Sequence, residues 1–194
     1  KNGKPFGFAV DVIEEVAKIA GYKISYKIQP DFSSTVDALI EGKGDIIPNS
    51  GILEDRFNDF IFTSPVETFF VSVIKRSNDS TISGIDDLSG KTVSVVKKNI
   101  GLFFLRDRGD IDLKVENDLQ DALFSLISGN ADAIVYPVSV AFAMARQAGI
   151  ADRIAVAGAP LREVKRGIRL LKGNEELRDK LDAAVLKFIK TKKY

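Results

Sequence analysis

Residues 44–65 read GDIIPNSGILEDRFNDFIFTSP. A Gly-Asp pair opens a short apolar piece that ends in a polar turn, and a single arginine, Arg56, follows. A second apolar piece, Phe60-Ile61-Phe62, then runs into Thr63-Ser64-Pro65. Taken alone, one arginine in a loop is a surface residue more often than a ligand contact. The segment around Arg56 is what shifts that balance.

The bulk composition narrows the field. The chain has 194 residues, of which 45% are hydrophobic and 28% charged, enough to bury one good core or two small ones. Lys and Arg total 28 against 27 Asp and Glu. The charges are interspersed, so no basic face for nucleic acid is implied. The late lysines Lys187, Lys190, Lys192 and Lys193 read as a solvated helix face. There is no Cys and no His, which removes thiolate zinc sites, Cys or His nucleophiles and histidine base catalysis. No metal site or cofactor is expected. No run of eighteen apolar residues is present to span a bilayer. The chain opens in a polar turn, KNGK, without a signal peptide, and reads as a mature or trimmed fragment.

Helix and strand signals alternate along the chain. Asn2-Gly3 reads as a hairpin turn. Val12, Ile13, Val16 and Ala17 recur at helical spacing in a helix from about Val10 that Gly21 closes. Lys23–Ile28 alternates as a strand, a short helix runs to Gly42, and Asp45–Ile47 is a short buried strand. Residues 66–75 form a longer extended run of β-branched and aromatic residues. A second unit then begins, with strands at 92–96, 111–115 and 131–135. Helices are expected at 99–106, up to Ser128-Gly129 and at 138–147. Asn117 or Asp118 caps the middle one. Arg153–Val156 and Lys165–Leu171 read as two further extended pieces, and Gly173-Asn174 opens a last helix with Leu177, Leu181, Val185 and Phe188 facing inward. EGKGDIIP and SGNADAIVYP match between the two halves. Their glycines end helices, and Asp45 and Asp132 are placed to accept backbone N–H groups where the chain enters the sheet. Two such modules make a cleft, a usual place for a small-molecule site.

In their order, NGKPFGFAVDVIEEVAKIAGY at 2–22, the segment at 44–65, DDLSGKTVSVV at 86–96 and GNADAIVYP at 129–137 resemble the bacterial extracellular solute-binding proteins of family 3. The resemblance covers nearly the whole chain. It implies an α/β, two-lobed, type II periplasmic-binding-protein-like clamshell with lobe 1 at 1–72 and 162–194 and lobe 2 at 73–161. It also implies a first strand before Lys1 and a last helix after Tyr194. By that resemblance Arg56 clamps a ligand carboxylate, a role suited to a rigid, permanently charged fork of donors. Asn49 and Gly51 fall beside it as side-chain and backbone contacts, with turn geometry as their alternative reading. Phe32 stands where the family places an aromatic over the ligand. Lys98, Asn99 and Ile100 match a second-lobe turn before a helix that takes the other side of the carboxylate, with Ile100 read as core.

The departure lies at 136–137, where amino-acid binders of the family carry an aspartate for the ammonium and this chain has Tyr136-Pro137. Either Glu67 replaces that acid, or the ligand has no amine and Tyr136 donates through its hydroxyl. Phe69 and Phe70 read as core, with the apolar wall of the site as their alternative reading. The expected function is binding of a small carboxylate, an amino acid or an amine-free acid, at the periplasmic or extracellular face of a bacterial membrane. The output is signalling, as the sensor domain of a histidine kinase or diguanylate cyclase whose full-length form allows a homodimer. The alternative output is delivery to an ABC permease. The other rivals are a degenerate structural domain and a dehydratase of cyclic acids. The last needs a positioned acid or base, and beside Glu67 only Glu54 and Asp55 are near, both read as solvated turn acids.

Overall fold

The computed structural model of the protein describes residues 5–194, and the turn expected at Asn2-Gly3 lies outside the described residues. In chain order the first elements are α1 (Phe8–Ala20), α2 (Phe32–Ile40), β1 (Ile47–Gly51), β2 (Phe60–Phe62) and β3 (Glu67–Arg76). There follow β4 (Thr92–Val96), α3 (Ile100–Leu105), β5 (Asp112–Glu116), α4 (Leu119–Ser128), β6 (Ala133–Pro137), α5 (Val138–Gln147), β7 (Ile154–Leu171) and α6 (Glu175–Phe188). They form two compact units: residues up to Pro30, Ser34–Thr68 and Val164–Tyr194 in unit 1, Asp31–Ser33 and Phe69–Glu163 in unit 2. The strands β3 and β7 each begin in one unit and end in the other.

Unit 1 is built on the late half of β7. That strand pairs antiparallel with β1 on one side and β2 on the other, so Arg169 stands opposite both Ile47 and Phe62. One face of β7 presents Ile168 and Leu170 to a core shared with Val12, Ile13 and Val16 of α1 and Leu181, Val185 and Phe188 of α6. The helical spacing read from the sequence is thus the buried stripe of α1. The helix ends where Gly21 takes φ 80, a left-handed conformation that costs glycine little.

Three expectations fail here, the first two for want or gain of a ladder partner. Lys23–Ile28 alternates as a strand should, yet forms none. Among the described residues no neighbouring strand offers it hydrogen bonds, and Ile28 stays 70% exposed. Beside it lies a cavity of about 520 Å³ lined by Ile13, Ile24, Tyr26, Leu39, Ile46 and Leu181 among others. β1 starts at Ile47, where the expected strand was to end. Its Ser50 and Gly51 find partners in Gly167 and Arg166, which turns the anticipated polar turn into strand. The two extended pieces expected at 153–156 and 165–171 are one strand of 18 residues.

Unit 2 has strands in the order β3-β6-β4-β5. β4 runs parallel to both β5 and β6, and β3 runs antiparallel to β6. Leu119, Leu123 and Leu126 of α4 and Ala141 and Ala145 of α5 pack on Ile74, Val96 and Ile134. Asp118 caps α4 by accepting from Asp121 N at 2.9 Å, and Asp132 Oδ2 accepts from Thr92 N at 3.0 Å, both as the sequence suggests. Phe69 is core, but Phe70 is 51% exposed, because neighbours on a strand point to opposite faces. α3 lies hard against β6: a Cβ on Gly101 would stand 2.0 Å from Val135 O. Only glycine permits that approach, and it sets the start of α3 beside the end of β6.

Candidate functional site

In unit 1 the candidate residues gather around two arginines. Arg56 sits in a single 3-10 turn, Glu54–Arg56, after β1. Its Nη1 donates to Gly51 O at 2.9 Å and Ser50 Oγ at 3.4 Å, which folds the side chain back over the strand end. The group is half-buried and forms no ion pair among the described residues. Burial pushes its proton affinity down, the neighbouring Asp55 pulls it up, and Arg166 pushes it down again. A guanidinium keeps its proton against such pressures. The consequence is a charge poorly compensated from within.

Asn49 and Glu67 lie together on β1 and β3. Asn49 Nδ2 donates to Glu67 Oε2 at 2.6 Å. Arg166, opposite Gly51 on β7, closes the group: its Nη2 donates to Asn49 O at 2.8 Å and its Nη1 lies 3.5 Å from Glu67 Oε2. Asn49 is therefore a strand residue binding a side chain, not the turn-stabilising residue of the alternative reading. Its Oδ1 is buried without a hydrogen-bond partner. Gly51 is buried at the end of β1, and a Cβ there would approach Val164 Cγ1 to 3.2 Å and Arg56 Nη1 to 3.4 Å. The glycine thus gives Arg56 its resting place. Glu54 and Asp55 are exposed, as turn acids should be.

The remaining candidates lie on unit 2 or group with it. Asn99 caps α3, its Oδ1 accepting from Ile100 N at 2.7 Å. Its Nδ2 donates to Tyr136 Oη at 3.2 Å, so the chain's departure at 136 is tied directly to the cap. Tyr136 is 8% exposed. Lys98 has φ 57, the one positive φ outside glycine among the described residues. Such strain, of about 1–3 kcal/mol, persists where the surroundings over-determine the backbone, and it gathers at functional turns. Ile100 is core, 4% exposed, as expected. Phe32 opens α2 half-buried, within the short piece Asp31–Ser33 that groups with unit 2.

Sequence reading missed Arg166 and Arg169. Arg169 is 2% exposed, and its guanidinium carbon stands 4.5 Å from the Phe60 ring centroid and 5.6 Å from that of Phe62. The available signal was an arginine flanked by Ile168 and Leu170 in a run otherwise fit for a buried strand. No group of acidic residues capable of holding a metal occurs among the described residues. No described helix is long and apolar enough to cross a membrane.

Residues 1–194 match the bacterial extracellular solute-binding proteins, family 3. The chain is 29% identical over 159 residues to the probable amino-acid-binding protein YxeM of Bacillus subtilis, covering 80% of this chain and 60% of that protein. It is 26% identical over 187 residues to the L-cystine-binding protein TcyJ of Escherichia coli, covering 95% and 69%. Among solved structures, a histidine kinase sensor domain with similarity to periplasmic binding proteins superposes with TM-score 0.92 at 23% identity, covering 100% of this chain and 85% of that one. An ancestral arginine-binding protein bound to arginine gives 0.87 at 28% identity, covering 98% and 85%. The chain thus spans about 60% of the length of YxeM. The fold is the periplasmic-binding-protein fold expected from the sequence, and these relatives are binding proteins and a sensor domain, not enzymes.

Proposed function

The chain belongs to the bacterial extracellular solute-binding proteins, family 3, and on that premise we propose that it binds a small carboxylate-containing solute through Arg56. The observation that carries this is the half-buried Arg56 guanidinium, which is held on Gly51 O and Ser50 Oγ and forms no ion pair among the described residues. A desolvated cation without an acid is costly, and a carboxylate that pairs with it bidentately repays that cost. Asn49, Gly51 and Glu67 shape the same site from unit 1. In unit 2, Asn99, Lys98 and Tyr136 are the donors this reading assigns to the ligand, and Phe32 is its apolar contact.

The output we propose is signalling, as the extracellular sensor domain of a membrane histidine kinase or diguanylate cyclase. It is supported by Tyr136-Pro137, which leaves the position of the usual ammonium partner without an acid. Delivery to an ABC permease is the second reading, favoured by a 26% identical relative of Bacillus subtilis named as a probable ABC transporter extracellular-binding protein, YckB. The test is a thermal-shift screen against amino acids and amine-free carboxylic acids, with hits confirmed by calorimetry. Stabilisation by a carboxylate, lost when that group is amidated, is the expected result. Silence across the panel, or equal binding of the amide, overturns the reading.

A further inference from the structure

On the reading that Arg56 takes a ligand carboxylate, we propose that the ligand carries two negative charges, as a small dicarboxylate rather than an α-amino acid, and that Arg169 is the positioning residue behind this preference. Arg169 lies on β7 between β1 and β2, with Ile47 opposite it on one side and Phe62 on the other. Its guanidinium stacks on Phe60 and Phe62. The Phe62 ring packs edge-on against Phe57 at 5.7 Å between centroids, and Phe57 is the residue after Arg56. A second guanidinium is thus linked through aromatic rings to the segment that carries the first, and the Arg56 charge reaches it.

This second cation is buried without a counter-ion. Arg169 is 2% exposed, forms no ion pair among the described residues, and its Nε has no acceptor. Ring faces attract a cation but compensate only part of the lost hydration. Burial, and then the Arg56 charge, press on its proton affinity, with Asp55 opposing. A guanidinium nevertheless stays charged, so the field of Arg169 remains and is little screened in a dry interior.

The acids nearby leave that field standing. Asp55 is exposed on the turn that carries Arg56, where water screens it. Glu67 is engaged by Asn49 and Arg166. Around Glu67 and the Glu54–Arg56 turn, three guanidinium groups, Arg56, Arg166 and Arg169, therefore stand with one half-buried carboxylate, Glu67. A zwitterionic amino acid brings no net charge, and its ammonium would join three cations beside an acid, Glu67, that is already engaged. A dianion answers both the Arg56 and the Arg169 charges. Arg169 need not touch it, because its charge acts through the low-dielectric interior.

The experiment is calorimetry on the whole chain with saturated dicarboxylic acids of four to six carbons, each against its half-amide, and with a panel of α-amino acids. Expected is at least one diacid bound tenfold or more tightly than its half-amide. Arg169→Met should reduce that ratio below threefold, and Arg169→Lys, which keeps a charge, should largely retain it. Equal loss of diacid and half-amide affinity in a folded Arg169→Met variant marks a merely structural residue and overturns the assignment. The wild-type arm needs no variant to fold: an amino acid or half-amide bound more tightly than every diacid overturns the proposal while leaving the carboxylate reading intact. Absence of binding by every acid in the panel overturns both.

Discussion

In unit 1 the guanidinium groups of Arg56 and Arg169 are half-buried and buried, and neither forms an ion pair among the described residues. In unit 2 the candidate polar groups answer one another: Asn99 caps its own helix with its oxygen and bonds Tyr136 with its nitrogen. The difference lies in what a ligand can add. A pair already hydrogen-bonded loses about as much as it gains when a ligand replaces one partner. An uncompensated cation gains the full difference. Affinity should therefore reside mainly in unit 1, while the unit 2 residues chiefly hold a preformed surface.

The largest disturbance should come from the geometry that preforms unit 2. Gly101→Ala puts a Cβ 2.0 Å from Val135 O, with only backbone to give way. A loss of about 3 kcal/mol is expected, seen as a fall of about 6–12 °C in Tm by calorimetric scanning. An unchanged Tm would mean that α3 is free to withdraw from β6, and that the Asn99–Tyr136 surface is not preformed.

Next comes the cation itself. Arg56→Ala should keep the fold by circular dichroism and weaken carboxylate binding at least about tenfold, or about 1.4 kcal/mol. Unchanged affinity would move the binding energy out of unit 1 and reverse the comparison. Asn99→Ala removes a cap and should cost about 1 kcal/mol of stability, a Tm shift of about 2–4 °C, with a smaller effect on affinity than Arg56→Ala. If affinity falls further than it does in Arg56→Ala, unit 2 is the dominant side. The smallest effect is expected from Glu67→Gln. The amide preserves the shape and removes a negative charge near the arginines, so calorimetry should show amine-free acids binding within about twofold of wild type or slightly tighter. Marked weakening confined to amino acids would restore Glu67 as an ammonium partner and contradict the dianion reading.

The fold was legible wherever local pattern and partner agree. The helical spacing of Val12, Ile13, Val16 and Ala17, the cap at Asp118 and the strand at 92–96 could all be read from the chain. Lys23–Ile28 was misread because alternation signals a strand only where another strand supplies its hydrogen bonds. Ser50 and Gly51 were misread in the opposite sense, since the partners that draw them into β1, Gly167 and Arg166, lie more than a hundred residues later. The same distance explains the site. Arg56 stood out because its own segment is distinctive. Arg166 and Arg169 did not, because a guanidinium on an apolar strand becomes informative only when β1 and β2 close around it. Glu67 was legible as a nearby acid, but its engagement by Asn49 and Arg166 depends on strands brought together in space.

The most direct test is an NMR titration that follows the arginine Nε–Hε and asparagine amide signals as a dicarboxylate is added. The account predicts that the Arg56 and Arg169 signals move with the binding curve and that the Asn99 amide moves less. A titration in which Asn99 responds while Arg56 and Arg169 stay fixed would contradict it.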